Sequence, residues 1–313
     1  MNARVQAGWL DDGRLHLNDG PIDLVIFADG AAQARRDAFA AATARFAGVL
    51  DELCAELPWL RSSLHEAAAP PIGAVARRMD AATRPLSENR FITPMAAVAG
   101  AVADEILAVM TRAASLRRAY VNNGGDIAVH LSEDATLKVG IVDRPDQPSV
   151  FGAAAIDRSH GVGGLATSGW RGRSFSFGIA DAATVLAADA AGADAAATLI
   201  ANAVDLPDHR AIVRAPANDI DPQSDLGGRL VTRSVGPLSD REVVDALDSG
   251  EVEARRLIVT GAIIAASIRL RGATRVVGRL AARSPVVDIH RATDGSQSND
   301  REERTWRRTF ASS

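Results

Sequence analysis

Two glycines separate two short apolar runs in residues 120–127, Tyr-Val-Asn-Asn-Gly-Gly-Asp-Ile. Glycines let a backbone approach a ligand closely and present its N–H groups, while asparagine and aspartate add side-chain oxygens. An ordinary hairpin turn has the same composition and is favoured on spacing alone, because Asn-Gly and Gly-Asp turns are common. The candidate ligand-binding residues of this segment are Asn122, Asn123, Gly124, Gly125 and Asp126.

A second segment, residues 163–173, combines glycines, two hydroxyl side chains and two arginines. This composition suits a phosphate or another anion, and it suits a flexible surface loop equally well. His160 precedes the segment, and we interpret it as structural because no carboxylate partner is identifiable from the sequence. The candidate ligand-binding residues are Thr167, Ser168, Gly169 and Arg171.

The third feature is Asp194 with Thr198, four residues apart in a predicted helix over residues 191–204. This spacing places both side chains on one helix face, where a carboxylate, a hydroxyl and a carbonyl would suit Mg²⁺. For such a pair in isolation the residue types favour another interpretation: Asp194 is a first-turn charge that favours the helix dipole, and Thr198 is simply packed.

Two further blocks accompany these three features. They are residues 93–100, Thr-Pro-Met-Ala-Ala-Val-Ala-Gly, and residues 174–182, Ser-Phe-Ser-Phe-Gly-Ile-Ala-Asp-Ala. Together the five segments resemble uncharacterised protein family 0280 of the ApbE-like superfamily, over about residues 20–280. The Asn-Gly-Gly-Asp block is shared with ApbE itself.

The resemblance implies an α+β fold related to the tunnelling fold, and a known chemistry. ApbE proteins are Mg²⁺-dependent FAD:protein FMN transferases. By this resemblance, residues 122–126 and 167–169 would bind a flavin or pyrophosphate ligand, and Asp194 and Thr198 would bind Mg²⁺. One ApbE element, His-x-x-Asp-Pro-x-Thr-Gly, has no counterpart, because residues 177–184 contain neither histidine nor proline.

Three functions therefore stay open. The first is an enzyme of FMN-transfer type that uses Mg²⁺ and FAD or FMN. The second is a non-catalytic flavin-binding or assembly protein for a partner enzyme, which the missing histidine segment favours. The third is an unrelated metabolic enzyme on the same scaffold, because a fold does not determine a function.

Composition excludes several other classes. The chain has 35 basic and 39 acidic residues, a net charge of −4, so we expect no nucleic-acid partner. A single cysteine, Cys54, excludes a disulfide within the chain, and its apolar helical context predicts burial. We see no signal peptide, and the apolar run 257–268 is too short for a bilayer and fits a buried helix, so we expect a cytoplasmic protein without membrane contact.

Hydrophobic periodicity and turn residues indicate the elements that position these candidates. We predict helices over residues 31–57, 72–82, 94–114, 191–204 and 251–270. Pro58 ends the first of them, and Thr93 is the N-cap of the 94–114 helix. A further helix begins in a capping box of Ser239 and Glu242. Strands are predicted over 5–9, 14–17, 22–28, 119–122, 126–131, 137–142, 151–156, 184–187, 211–214, 229–235 and 274–280.

These elements predict one α+β domain over residues 1–285, with antiparallel sheets packed against helices. Residues 286–313 form a polar, arginine-rich tail that we expect to be disordered. We also predict a homo-oligomer, because the Ala/Gly face of the 94–114 helix and the apolar run 257–268 offer surface for a second copy.

Overall fold

The computed structural model describes residues 4–64, 70–88, 90–142 and 150–278. Its centre is a nine-stranded sheet in which all neighbouring strands are antiparallel, in the order β1-β2-β3-β4-β5-β8-β9-β12-β13. The strands of this sheet are β1 Gln6–Trp9, β2 Leu15–Asp19, β3 Ile22–Asp29, β4 Arg118–Asn123, β5 Asp126–Leu131, β8 Gly164–Ser168, β9 Ala182–Ala187, β12 Ala265–Leu270 and β13 Ala273–Gly278. Two separate antiparallel ribbons pair β6 Thr136–Val142 with β7 Val150–Asp157, and β10 Ile212–Pro216 with β11 Leu230–Val235.

One layer of helices covers one face of this sheet and follows its strand order. Helix α1 packs on β2 and β3, α5 on β4 and β5, α6 on β8 and β9, and α8 on β12 and β13, and each of these helices also contacts the next. The helices are α1 Ala32–Phe46, α2 Val49–Ala55, α3 Leu57–Leu60, α4 Ala74–Thr83, α5 Val98–Ala113, α6 Ala190–Ala203, α7 Ala217–Ile220 and α8 Asp240–Val259. The prediction of an α+β fold with antiparallel sheets packed against helices is confirmed.

The core between the sheet and the helices is built from aliphatic side chains. In strand β3, for example, alternate residues from Ile22 to Ala28 are apolar and buried under the helices, as the two-residue period of a strand requires. Helix α6 is the most enclosed of these helices: nine of its fourteen residues are buried, seven of them alanines. It can therefore contact strands and neighbouring helices at short range.

A glycine allows α5 and α6 to approach closely. A Cβ atom on Gly100 would lie 2.2 Å from the carbonyl oxygen of Ala190, a distance that no side chain can occupy. The predicted close packing of the 94–114 helix against another backbone is therefore present, and that backbone is α6.

Two of the predicted helices begin or continue differently. The predicted helix over residues 31–57 is interrupted around Gly48, and Pro58 lies in the first turn of α3, where its missing N–H costs no hydrogen bond. The predicted helix from Pro94 begins with a 3₁₀ turn, Pro94–Ala97, before α5. Thr93 does not cap it, because its hydroxyl donates instead to the Asp225 carboxylate.

The predicted helix over residues 251–270 is wrong. A single helix, α8, begins after the Ser239–Glu242 capping box, which is confirmed, and ends at Val259. Gly261 then adopts a φ of +74°, and the chain continues as strand β12. A short apolar run fits a buried strand as well as a buried helix, so periodicity alone could not separate them.

Both surfaces behind the predicted homo-oligomer are covered within one chain. The small-residue face of α5 packs on α6, and the run 257–268 contributes Leu257, Ile263 and Ile268 to the core. The predicted burial of Cys54 is also wrong, because this residue lies on the exposed side of the short helix α2. The tail 286–313 and the boundary at residue 285 lie outside the described residues.

Within the described residues one segment, Pro94–Ala113, is long and apolar enough to cross a membrane by length and composition. Most of it is buried, because it packs against α1, α4 and α6 as well as the sheet. A core helix with these neighbours accounts for its hydropathy.

Candidate functional site

The Gly-Gly segment forms the tight turn between β4 and β5. Gly124 and Gly125 have φ values of +66° and +114°, which glycine adopts without the strain that other residues incur. The Asn122 side-chain oxygen accepts a hydrogen bond from the Gly125 N–H at 2.8 Å and so holds the turn. The hairpin interpretation is therefore right, and the turn leaves both glycines exposed at one end of the sheet.

Asp126, the first residue of β5, links this hairpin to the next strand. Its Oδ1 accepts a hydrogen bond from the Thr167 N–H at 3.3 Å. The Thr167 hydroxyl in turn lies 2.9 Å from the hydroxyl of Thr184, its register partner on β9. Polar side chains thus connect three neighbouring strands at the same end of the sheet.

The first turn of α5 joins the same site from the helical layer. The Asn123 side-chain amide donates to the Ala99 carbonyl oxygen at 3.1 Å, and the Gly100 N–H donates to Asp194 Oδ2 at 3.1 Å. Asp194 is the fifth residue of α6, whose first turn is capped by Asp189. The interpretation of Asp194 as a first-turn charge of its own helix is therefore wrong: it contacts the N-terminus of a different helix.

Burial and mutual repulsion dominate the electrostatics of the two carboxylates. Burial raises the pKa of Asp194 well above its ordinary range, and the charge of Asp126 raises it further, while the Gly100 N–H opposes the shift. Burial also raises the pKa of Asp126 to about 7, with the Thr167 N–H as the opposing contact. Within the described residues neither carboxylate forms an ion pair with an arginine, lysine or histidine.

A third half-buried carboxylate, Asp104, is not among the residues that the sequence predicts for the site. It accepts hydrogen bonds from the Ala190 and Ala191 N–H groups, at 3.1 and 2.9 Å, and so caps the start of α6. Burial raises its pKa to about 6, and its charge adds to the repulsion on Asp194. The signal was present in the sequence, since Asp104 is an acid in an apolar helix, one turn after Gly100.

Thr198 lies one helical turn beyond Asp194, as predicted. It is half-buried, and its hydroxyl makes no hydrogen bond within the part of the chain that the structure describes. No cluster of three or more His, Cys, Asp or Glu side chains suitable for a metal occurs among those residues. A cation at Asp126 and Asp194 would therefore take its other ligands from hydroxyl and carbonyl oxygens or from water. That oxygen-only set, with two carboxylates, fits Mg²⁺.

The loop after β8 contributes less than predicted. Ser168 ends the strand opposite Ala183, and Gly169 packs so closely on the Asp181 backbone that a Cβ there would lie 2.5 Å from the Asp181 carbonyl oxygen. Arg171 stacks on Trp170, with its guanidinium carbon 4.1 Å from the ring centroid, and its Nε lies 3.5 Å from Asp181 Oδ1. The structure therefore joins Arg171 to Asp181 and does not bring it to the Asp126–Asp194 pair.

His160 has the structural role predicted for it. Its Nδ1 accepts the Asp157 N–H at 3.0 Å, and the two residues form a capping box around a 3₁₀ turn. The carboxylate partner that the sequence did not reveal is Asp157, three residues earlier. A surface groove of about 660 Å³ between β1 and α1, lined by Trp9, Leu15 and Phe39, lies three strands from the hairpin and plays no part in this site.

Comparison with known proteins places the chain in a family. The chain matches the family model described as "AbpE bacteria" over residues 7–276. It is 37% identical over 161 residues to a UPF0280 protein of Methanocella arvoryzae, which covers 51% of this chain and 63% of that protein. It is 45% identical over 114 residues to a UPF0280 protein of Methanothrix thermoacetophila, covering 36% and 46%. The chain thus spans between about half and two-thirds of the length of these curated relatives.

Among solved structures, the chain aligns with the apo form of the flavinyl transferase ApbE from Pseudomonas stutzeri. The TM-score is 0.40 and the identity 11%, over 88% of this chain and 96% of that one. The resemblance to family 0280 is confirmed by the UPF0280 relatives. With a family model that matches most of its length, the chain belongs to the AbpE bacteria family.

Proposed function

We propose that this protein binds Mg²⁺ and a flavin or another pyrophosphate-containing ligand at the Asp126–Asp194 site, and that it carries out chemistry of the FMN-transfer type. The observation that carries the proposal is the pairing of two half-buried carboxylates from different elements, with no cationic side chain bonded to either in the described residues. Burying like charges together is costly unless a cation or a proton compensates them.

Asp126 and Asp194 would hold the cation, and Thr198 would support it with its free hydroxyl. Bound Mg²⁺ neutralises charge on phosphate oxygens and anchors the ligand. This support for the metal comes from the donor set alone, because Mg²⁺ is commonly bound by one or two carboxylates together with water and substrate phosphates.

The chain's own residues would position the ligand. The Gly124–Gly125 turn is exposed and lets a phosphate group approach the backbone without a side chain in the way. Asn122 fixes the turn, and Asn123 ties it to the first turn of α5, whose Gly100 N–H in turn bonds to Asp194 of α6. A rigid arrangement of this kind holds a ligand in one orientation.

A non-catalytic flavin-binding or assembly role is the second candidate, and one observation favours it. The four histidines in the described residues are all engaged away from the site: His16 with Asp23, His130 with the Leu116 carbonyl oxygen, His160 with Asp157, and His209 with Glu242. Activation of an acceptor hydroxyl would therefore fall to a carboxylate. Binding without turnover is the expected behaviour if no carboxylate serves that purpose.

FAD turnover separates the two candidates. We expect the purified protein with Mg²⁺ and a threonine-containing acceptor to release AMP from FAD, measured by chromatography, and Asp126→Asn to abolish the release. Asp245→Asn, an exposed helical aspartate, is the matched control and should retain activity. FAD binding without AMP release would favour the assembly role. Absence of both binding and release would contradict the proposed function.

A further inference from the structure

Arg173 lies against the Gly124–Gly125 turn. An ideal Cβ atom on Gly124 would have Arg173 Nη1 as its only neighbour within 4 Å, at 3.8 Å. The guanidinium therefore lies beside the exposed backbone of the turn, at the end of the sheet that carries Asp126. Of the two arginines in this loop, the sequence analysis names Arg171 as a candidate ligand-binding residue, whereas Arg173 is the one that lies beside the turn.

The Arg173 guanidinium is available, unlike that of Arg171. Arg173 is exposed and makes no hydrogen bond or ion pair with any described residue. Arg171 is stacked on Trp170 and directed towards Asp181, with 27% of its side chain exposed. Other arginines of the helical layer, such as Arg45 and Arg78, are occupied by carboxylates. Arg173 thus offers unused donors at the site.

The backbone of the turn adds a second donor. The Gly125 N–H is taken by the Asn122 side chain, whereas the Gly124 N–H has no acceptor among the described residues. A guanidinium beside a free N–H, on a turn without side chains, can donate hydrogen bonds to an anionic oxygen and so bind it. The acid pair next to it repels an anion, unless a cation bridges the two.

We propose that Arg173 and the Gly124 N–H bind a phosphate oxygen of a diphosphate group whose other oxygens face the cation at Asp126 and Asp194. This inference rests on the proposed function and adds to it Arg173 as the residue that binds the diphosphate on the side away from the cation. A ligand with one charged end would satisfy only one half of the site, whereas a diphosphate carries enough negative oxygens for both halves. Arginine is suited to this role because its planar fork matches phosphate geometry.

Titration of the full chain with inorganic pyrophosphate, with and without Mg²⁺, tests this inference by calorimetry. We expect Arg173→Ala to weaken pyrophosphate binding about tenfold or more in Mg²⁺, the loss typical of a hydrogen bond to a charged group. Arg173→Lys should restore part of the affinity, because lysine keeps the positive charge but lacks the planar pair of N–H donors of a guanidinium. Arg210→Ala is the matched control: Arg210 is exposed, and no ion pair holds it within the described residues. All three variants should melt at the wild-type temperature.

The outcomes separate this inference from the proposed function. Wild-type affinity in Arg173→Ala, together with weakened binding in Asp194→Asn, would overturn the role of Arg173 and leave the metal site standing. Weakened binding in Arg173→Ala with full affinity in Asp194→Asn would support the anion contact and contradict the metal site. Equal losses in Arg173→Ala and Arg210→Ala, or no binding by the wild type in either condition, would overturn the inference.

Discussion

Asp104 on α5 and Asp194 on α6 cap each other's helices. Asp104 accepts the first N–H groups of α6, from Ala190 and Ala191, while Asp194 accepts the N–H of Gly100 in the first turn of α5. Each carboxylate lies at the positive end of the partner helix dipole, which stabilises negative charge. This reciprocal capping fixes the position of Asp194 relative to the Gly124–Gly125 hairpin, since Asn123 bonds to the same turn of α5.

The crossing of the two helices depends on Gly100. We expect Gly100→Ala to destabilise the fold by about 1–3 kcal/mol, because the added methyl would overlap the Ala190 backbone and force the helices apart. The loss would exceed the gain of about 1 kcal/mol that alanine normally brings within a helix. Urea denaturation measures the change. Gly228→Ala, in an open loop with nothing within 4 Å, should be neutral; a Gly100→Ala protein as stable as the wild type would contradict the close approach.

Asp104 should make stability depend on pH. Its pKa is about 6 in the folded chain against an ordinary value of 3.8, so the folded state binds the proton more tightly than the unfolded state. The stabilisation is therefore complete below about pH 4 and is lost as the pH rises through 6, by about 3 kcal/mol in total. Asp126 acts in the same direction.

Thermal melts between pH 5 and pH 8 measure this dependence. We expect the wild-type melting temperature to fall as the pH rises across this range, and the melting temperature of Asp104→Asn to fall less. At pH 5 the asparagine variant should be less stable than the wild type, because its single oxygen replaces two acceptors for the Ala190 and Ala191 N–H groups. Identical slopes for the two proteins would show that Asp104 does not titrate in this range.

The hydroxyl pair of Thr167 and Thr184 gives a test of the sheet beneath the site. Thr167→Val leaves the buried Thr184 hydroxyl without its partner, at a cost of about 1–3 kcal/mol. The double variant Thr167→Val, Thr184→Val removes both polar groups, and we expect it to be less destabilised than the sum of the two single changes. Denaturation of the four proteins gives the coupling. Strict additivity would mean that the two hydroxyls do not interact.

Cys54 provides a direct test of the α2 surface. Because the residue is exposed, we expect one equivalent of thiol to react with a colorimetric disulfide reagent in the native protein, without denaturant. Cys54→Ser should remove the signal and leave the fold unchanged. A thiol that reacts only after unfolding would contradict the exposed position.

Local signals predicted most of the elements. Turn glycines and alternating apolar residues located the β1–β3 meander, the β4–β5 hairpin and the strand β13, and the Ser239–Glu242 capping box located the start of α8. The end of α8 was missed because the apolar run 257–268 satisfies both a helix and a buried strand. Thr93 was misassigned because its hydroxyl has a distant partner, Asp225, which local sequence cannot show.

The sequence predicted most residues of the candidate site but not the contacts between them. Asp126 and Asp194 stood out by residue type and resemblance, yet they are 68 positions apart in the chain, and the packing of α6 against β5 and β8 brings one charge near the other. Asp104 and Arg173 gained their importance from contacts across the chain, with Ala190 and with Gly124. The segment around Arg171 has the composition of an anion site, but the spacing of its residues cannot show that the Arg171 side chain stacks on Trp170.

The most direct test of the central claim is a calorimetric titration of Asp194→Asn with Mg²⁺, alongside a thermal melt. The asparagine keeps an oxygen for the Gly100 N–H and removes a half-buried charge that Asp126 repels, so we expect the melting temperature to stay the same or rise. Mg²⁺ affinity should fall at least about tenfold, the loss of one charged ligand. Asp245→Asn should leave both quantities unchanged. Wild-type Mg²⁺ affinity in Asp194→Asn, or a lower melting temperature with full affinity, would contradict the account and leave Asp194 as a helix cap alone.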